Sequence, residues 1–337
     1  MRKEIAIVVL VSFALLALTS TAAAHVPIGI GTGDTLDDAV EIPDATKSWV
    51  IYSEVHEASE GHYYRFHMHQ GERIRFTLMI PNYMSDTGFA PGAVLMGPGL
   101  VNQGVAPSYV EVANGTGVIV IEGVDPEHAE YEGFTPSTFR VVVDVNIIAP
   151  ESGEYYLVVH DADMGGPFGM AIGYVESFTL DEWILVPVNV IGIYLWQGQS
   201  LAIVFAPMLA TVIVGLWVVA TKKNEDLKDG GLTSWLGLLA GVLFLGSAAS
   251  FGFQIVYSAL QSAASAQILI SVLFALIPAI LGLMTIRIVL DGEAFQKKSG
   301  QIKLVGIGIL SLFGWAGLLI GPVLAVAAGS IKYANTR

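Results

Sequence analysis

The chain contains no cysteine, and its first half contains few basic residues. The absence of cysteine excludes disulfide bonds, thiolate metal ligands and cysteine nucleophiles. Residues 25–182 carry five Lys and Arg against 24 Asp and Glu, a net charge of −19. So acidic a segment repels nucleic acid and anionic lipid headgroups, and we expect no nucleic-acid partner for it.

Sequence motifs of common enzyme classes are also absent. The chain has no G-x-S-x-G nucleophile elbow, no H-E-x-x-H zinc motif and no phosphate-binding loop. Its long apolar stretches hold no ionisable residue at mid-depth, where ion-coupled carriers usually place one. These absences favour a non-catalytic protein over an enzyme, and a helical anchor over an ion-coupled carrier.

Residues 1–24, in contrast, have the full pattern of a secretory signal peptide. A basic start precedes an apolar run over 5–18, and three alanines ending at Ala24 offer a cleavage site. Cleavage after Ala24 would leave His25 as the mature N-terminus. An uncleaved signal anchor is the alternative.

The second half of the chain is dominated by apolar stretches of membrane-spanning length. Each has about 20 residues or more, enough to cross the ~30 Å hydrocarbon core of a bilayer. The four stretches cover 201–221, 232–258, 268–290 and 304–328. The sequence therefore predicts an all-α four-helix transmembrane bundle over 200–330, embedded in the lipid of the cell membrane.

The distribution of basic residues predicts the orientation of this bundle. Loops 221–228 and 291–303 hold three lysines each, whereas 261–267 holds no basic residue. The positive-inside rule then places the first two loops in the cytoplasm. With four spans, residues 25–182 and the short tail 331–337 both lie outside.

The segment 183–199 joins the two halves. It is apolar but short, and it contains Pro187 and aromatic residues near both ends, Trp183, Tyr194 and Trp196. We expect it to lie in the outer membrane interface rather than to span the bilayer.

Residues 25–182 predict an extracytoplasmic all-β sandwich or jelly roll. Seven short segments rich in β-branched and aromatic residues lie between 47 and 175, separated by turn signals such as Asn114-Gly115. HYYRFHMHQGERIRFTL (62–78) and APESGEYYLVVHDADMGGPFGMAIGY (149–174) resemble the prepeptidase C-terminal type of β-sandwich. The resemblance covers 48–175 and implies a non-catalytic accessory or binding module on a cell surface. The aspartate that this family usually has before the first tyrosine strand is replaced by Gly61-His62.

The histidines suggest a copper site as an alternative function. An N-terminal His25 would offer an amine and an imidazole, and His67 and His69 share one face of a strand. This hypothesis describes a copper-binding outer domain, either an enzyme or a copper-handling protein. A competing interpretation is a solvated hairpin face, because a turn at 70–72 would set Arg73 and Arg75 opposite these histidines.

Three further features predict sites or partners. Asp161 and Asp163 are candidate calcium ligands, and Asn114 begins a glycosylation sequon. Glycine-rich helix faces predict contact with other membrane proteins through Gly237/Gly241, Ala248/Gly252 and Gly317/Gly321. Helices broken at Pro207 and Pro278 would suit a subunit of a transport complex, which is a second alternative. The favoured interpretation is a multi-pass membrane protein whose acidic sandwich binds or structures something outside.

Overall fold

The structure, a computed structural model, describes residues 25–29, 31, 33–221 and 231–335. The predicted signal peptide, the loop 222–228 and the last two residues of the predicted tail lie outside the described residues. Within these residues the chain forms two β-sheets followed by a set of helices.

Eleven strands form two mixed sheets, and together they make up the sandwich. The strands are β1 (Val26–Pro27), β2 (Val40–Glu41), β3 (Trp49–Val55), β4 (Gly61–Met68), β5 (Arg73–Pro81), β6 (Gly92–Gly97), β7 (Gly117–Ile121), β8 (Glu130–Glu132), β9 (Ser137–Ile148), β10 (Gly153–His160) and β11 (Gly166–Ile172). The six-stranded sheet has the order β1-β3-β11-β5-β9-β8, and the five-stranded sheet has the order β2-β4-β10-β6-β7. The predicted all-β first half is confirmed.

The two sheets share one apolar core because their strands alternate apolar and polar residues. In β4 the side chains of Tyr64, Phe66 and Met68 are fully buried, and in β5 those of Phe76 and Leu78 are too. Each such side chain contributes about 1.5–3 kcal/mol when it leaves water.

The predicted hairpin between β4 and β5 is wrong, because the two strands belong to different sheets. β4 pairs with β2 and β10, whereas β5 pairs with β9 and β11. The turn at 70–72 carries the chain across the core, and the Gly71 N–H donates to the Ala149 carbonyl at 2.9 Å. Two strands that face each other across a core have the same alternation as two strands side by side, so the pattern does not distinguish these arrangements.

The remaining elements are helical. Apart from a short 3-10 helix at Asn82–Met84, they are α1 (Leu180–Trp196), α2 (Leu201–Thr221), α3 (Gly231–Ala259), α4 (Ile268–Leu290), α5 (Gly292–Gln296), α6 (Lys298–Phe313) and α7 (Ile320–Asn335). Helix α1 begins with a capping box in which the Thr179 side chain and Glu182 each bond the backbone of the other.

Three of the described helices, α2, α3 and α4, are long and apolar enough to cross a membrane, with 21, 29 and 23 residues. Helix α2 leaves large apolar side chains exposed, among them Ile213 and Trp217, at 67% and 66%. A surface of this kind fits a lipid environment. The predicted breaks at Pro207 and Pro278 are wrong, because α2 and α4 continue through both prolines.

The predicted fourth span, 304–328, is wrong, because two shorter helices replace it. Helix α6 ends at Phe313, Trp315 and Leu318 adopt φ angles of 50° and 54°, and α7 begins at Ile320. Each helix has 16 residues. At 1.5 Å per residue, each reaches about 24 Å, which is short of the ~30 Å core. The composition stays apolar through the turn, so hydropathy does not reveal it.

Helices α6 and α7 pack against each other as an antiparallel hairpin. A Cβ added to Gly308 would lie 2.7 Å from Val326, and one added to Gly329 would lie 2.7 Å from the Gln301 carbonyl oxygen. These pairs run in opposite directions along the two helices. The glycines therefore allow close approach of the two backbones.

The hairpin also corrects the position of the C-terminal tail. The Lys298 ammonium lies 5.6 Å from the Tyr333 ring centroid, and that of Lys332 lies 5.7 Å from the ring of Phe295. The described part of the predicted outer tail thus lies beside the 291–303 segment, not at the opposite end of the helices. We call the end formed by Thr221, Gly231, Leu290 and Asn335 the free end, and the opposite end the sandwich end.

Two of the three predicted glycine-rich faces are used inside the chain. A Cβ on Gly241 would lie 2.6 Å from Ile286 of α4, and one on Gly321 would lie 2.7 Å from Phe244 of α3. At Gly252 nothing lies within 4 Å among the residues that the structure describes. The first two faces therefore build the bundle itself.

Candidate functional site: the sandwich–helix junction and the histidines

The sandwich is joined to α4 by a chain of hydrogen bonds. The Tyr131 hydroxyl donates to Ser271 Oγ at 2.8 Å, and Ser271 Oγ donates to the Gly133 carbonyl at 2.6 Å. The Gly133 N–H donates to Gln267 Oε1 at 2.9 Å. A Cβ on Gly133 would lie 2.7 Å from the backbone oxygen of Gln267, so this position needs a glycine.

Further contacts tie the sandwich to α1 and to the loop between α3 and α4 at the same end. Gln197 Nε2 donates to the Thr138 carbonyl at 2.9 Å, and the Ala263 N–H donates to the Ala129 carbonyl at 3.0 Å. An ion pair joins Lys47 Nζ to the Glu182 carboxylate at 2.7 Å. The sandwich is therefore held at several separate points.

An aromatic cluster occupies the centre of this junction. The Phe134 ring lies 5.4 Å from Phe274 of α4, 5.0 Å from Trp315 in the α6–α7 turn and 5.9 Å from Trp183 of α1, measured between centroids. The indole N–H of Trp315 donates to the Trp183 carbonyl at 2.9 Å. Such ring pairs add about 0.5–1.5 kcal/mol each beyond the area that they bury.

The aromatic residues of the 183–199 segment all pack against other parts of the chain. Trp183 belongs to this cluster, Tyr194 is buried, and the Trp196 ring lies 4.9 Å from Tyr52. Helix α1 thus packs between the sandwich and the other helices. Its predicted depth in the membrane interface stays a prediction.

Glu132 is a half-buried carboxylate beside the aromatic cluster. It accepts hydrogen bonds from the N–H groups of Phe134 and Thr135 at 2.9 and 2.6 Å, and from the Thr135 hydroxyl at 2.8 Å. Burial raises the pKa of Glu132 to about 7, although these bonds favour the charged form. It lines a cavity of about 40 Å³ together with His25 and Tyr52.

His25 lies on the six-stranded sheet and is hydrogen-bonded through Nδ1 to the Ser48 hydroxyl. Burial, followed by the charge of Arg75, lowers the pKa of His25 to about 4. His67 and His69 are exposed at the end of β4 in the five-stranded sheet, with ring centroids 5.1 Å apart. The structure brings His67 and His69 together, but it does not bring His25 to them.

The arginines expected opposite the histidines lie elsewhere. His67 pairs with Glu154 across the sheet, Arg75 forms an ion pair with Asp144, and the Arg73 guanidinium lies 5.1 Å from the Tyr174 ring. Arg73 and Arg75 therefore do not lie opposite His67, where their charges would repel a bound cation. Copper binding there stays a prediction.

The other predicted sites lie in turns. Asp161 Oδ1 accepts the N–H groups of Asp163 and Met164 at 2.9 and 3.1 Å, and Oδ2 accepts that of Ala90 at 3.3 Å. These bonds give Asp161 a loop-closing role, and the calcium hypothesis remains untested. Asn114 is exposed in a turn, as a glycosylation site requires.

A group that the sequence analysis did not single out lies in the turn between β3 and β4. His56 Nδ1 lies 3.4 Å from Glu60 Oε1, and His62 Nε2 lies 4.0 Å from the same oxygen. One ligand atom from each of the three residues lies within 4.8 Å of the others. The available signal was two histidines and two glutamates within the seven residues HEASEGH.

Comparisons with known proteins give a fold resemblance for part of the chain. No protein-family model matches it, and no curated protein matches it. The pre-peptidase C-terminal domain of collagenase from Bacillus anthracis is 16% identical, with 39% of this chain and 91% of that chain covered, at a TM-score of 0.23. The structure of pT26-6p is 10% identical, with 86% of this chain and 49% of that chain covered, at a TM-score of 0.16.

Proposed function

We propose that this chain is a multi-pass membrane protein that presents an acidic β-sandwich on the outer side of the cell membrane as a non-catalytic binding module. The observation that supports this most is the junction, where hydrogen bonds, an ion pair and the Phe134 cluster connect the sandwich to α1, α4 and the α6–α7 turn. A module fixed at several points presents one defined surface to a partner, unlike a domain on a flexible tether.

The distribution of charge supports the outward orientation. Among the described residues after 182, all five Lys and Arg lie near the free end: Arg287, Lys297, Lys298, Lys303 and Lys332. In the sequence, three more lysines lie between Thr221 and Gly231, the ends of α2 and α3 at the free end. Lys332, which four spans would have placed outside, joins Lys298 there. The loop 261–267 at the sandwich end has no basic residue. By the positive-inside rule the free end faces the cytoplasm.

The charge of the sandwich favours a cationic partner. Each of its five basic side chains already has a partner within the chain: Lys47 with Glu182, Arg65 with Glu41, Arg75 with Asp144, Arg140 with Asp125, and Arg73 with the ring of Tyr174. Most of the 24 acidic residues are therefore not neutralised by a basic side chain of the sandwich. A surface of one sign attracts ligands of the opposite sign and raises their association rate.

Thiol labelling tests the orientation directly, because the chain has no cysteine of its own. In intact cells, an impermeant thiol reagent should label Glu127→Cys on the sandwich and Ala264→Cys at the sandwich end. It should not label Ser299→Cys at the free end until the membrane is permeabilised. Labelling of Ser299→Cys alone in intact cells would refute the proposed orientation.

Peptide binding tests the charge argument. The purified full chain should bind a lysine-rich peptide and not a glutamate-rich peptide of equal length, and added salt should weaken the binding. Replacing Asp37 and Glu154, two acidic side chains whose charges act on Tyr156, by Asn and Gln should weaken it further. Replacing Asp291 and Glu293 at the free end is the matched control. Equal binding of the two peptides would refute a cationic partner.

A further inference from the structure

The turn between β3 and β4 places two imidazoles and a carboxylate around one point. Glu60 Oε2 accepts the backbone N–H groups of His56 and Glu57 at 2.7 and 3.1 Å, which fixes the side chain. Its other oxygen, Oε1, is the atom that lies near both imidazoles. The turn itself is held by Ser59, whose N–H donates to the Asp161 carbonyl at 2.8 Å.

His62 is the unusual member of this group. Its side chain is fully buried at 0% exposure, and neither ring nitrogen has a hydrogen-bond partner of normal geometry among the described residues. The backbone of Glu54 acts on the ring from outside that geometry. A buried polar group without a partner is costly and rare in native proteins.

The local charges favour a cation. The carboxylates of Glu60 and Asp34 act on the His62 ring, and so does the neighbouring His56. The two carboxylates attract a positive ion, and the exposed His56 is free to turn towards it, with a side chain 65% exposed. These surroundings differ from a solvated strand face, where each histidine meets only water.

We infer that His56, Glu60 and His62 form a binding site for one divalent transition-metal ion of the Zn²⁺ type. Two imidazoles and one carboxylate are the donors that such ions prefer, whereas Ca²⁺ and Mg²⁺ prefer all-oxygen sites. Ligand atoms around tetrahedral zinc are about 3.3 Å apart for bonds of 2.0–2.1 Å. The separation of 3.4 Å between His56 Nδ1 and Glu60 Oε1 already matches this value, and a small shift of the Glu60 carboxylate towards His62 would shorten the 4.0 Å between Glu60 Oε1 and His62 Nε2. Three protein ligands leave a fourth position for water or an external ligand.

Zinc titration of the intact protein tests this site. The full chain, purified without a polyhistidine tag and stripped with a chelator, should bind one equivalent of Zn²⁺ by calorimetry, with no comparable heat from Ca²⁺ or Mg²⁺. His56→Ala should weaken binding at least about tenfold. This variant should fold normally, because the backbone of His56 rather than its ring bonds Glu60. Glu60→Gln should also weaken binding, because one side-chain oxygen becomes an amide nitrogen.

Two control variants separate this site from ordinary surface histidines. His128→Ala removes an exposed histidine whose Nε2 lies 3.9 Å from the Glu127 carboxylate. It therefore makes the same substitution as His56→Ala, also beside a carboxylate, but away from the proposed site. The double variant His67→Ala/His69→Ala removes the other histidine pair. Both should bind Zn²⁺ like the wild type. Absence of Zn²⁺ binding, unchanged binding in His56→Ala, or loss of binding in either control would overturn the inference.

Discussion

Replacing Glu132 by glutamine should remove a pH-dependent weakness of the sandwich–helix junction. Burial raises the pKa of Glu132 from 4.5 to about 7 in the folded chain. Between these two values the folded state holds the proton and the unfolded state has lost it, so stability falls as the pH rises through this window. The difference of about 2.5 pH units corresponds to an upper limit of about 3.5 kcal/mol at about 1.4 kcal/mol per unit.

His25, in the same cavity, contributes the opposite slope. Its pKa is lowered from 6.5 to about 4, so in that window the unfolded state binds the proton and stability rises with pH. The stability of the wild type plotted against pH contains both contributions and should be nearly flat where they overlap. The difference in unfolding midpoint between Glu132→Gln and the wild type isolates the contribution of the Glu132 carboxylate, because His25 is present in both proteins.

Thermal unfolding in detergent at pH 5, 6, 7 and 8 measures this difference. Glutamine removes the charge, but its amide NH₂ replaces one of the two accepting oxygens, which lowers the midpoint by an amount that does not depend on pH. Relative to the midpoint difference at pH 5, the variant should gain roughly 5–10 °C over the wild type at pH 8, from about 2–4 °C per kcal/mol. The matched control is Glu130→Gln, an exposed residue on the same strand. A midpoint difference that does not change with pH would refute the reasoning.

Three further predictions concern the junction, the hairpin and the tail. In a double-mutant cycle, Tyr131→Phe and Ser271→Ala should each lower the free energy of unfolding by about 1 kcal/mol or more. The double variant should lose less than the sum of the two single losses, and strictly additive midpoint shifts would argue against the hydrogen bond between the two side chains. Gly308→Ala should lower the thermal midpoint, because its Cβ would meet Val326 at 2.7 Å. Gly306→Ala on the same helix should raise it by the equivalent of about 0.5–1 kcal/mol, because nothing lies within 4 Å; equal shifts would contradict the hairpin packing. Ala334→Cys should stay unlabelled by an impermeant thiol reagent in intact cells, and labelling there would restore the four-span topology.

Much of the local structure follows from short-range patterns. The alternation in HYYRFHMH correctly predicts that Tyr64, Phe66 and Met68 face a core, because a strand directs successive side chains to opposite faces. The apolar stretches 201–221 and 268–290 agree with α2 and α4 in their bounds.

The errors share one physical origin, which is packing between distant parts of the chain. The pattern around 62–80 fits a hairpin and a crossover between sheets equally well, and only the pairing of β4 with β10 decides between them. The stretch 304–328 is apolar throughout, and its turn forms where Trp315 packs under Phe134, far away in the sequence. The site at His56 and His62 was missed because His62 reads as an ordinary core position of a strand.

The sequence by itself determined the two-part organisation, the acidic charge of the first part, the strand and helix types and the faces that they bury, because each depends on composition or on a period of a few residues. The tertiary structure alone decided which strands pair, where the last apolar stretch turns back, and that Tyr131 meets Ser271 across 140 residues of sequence. Contacts of that range are selected by the packing of the whole chain, and no local period encodes them.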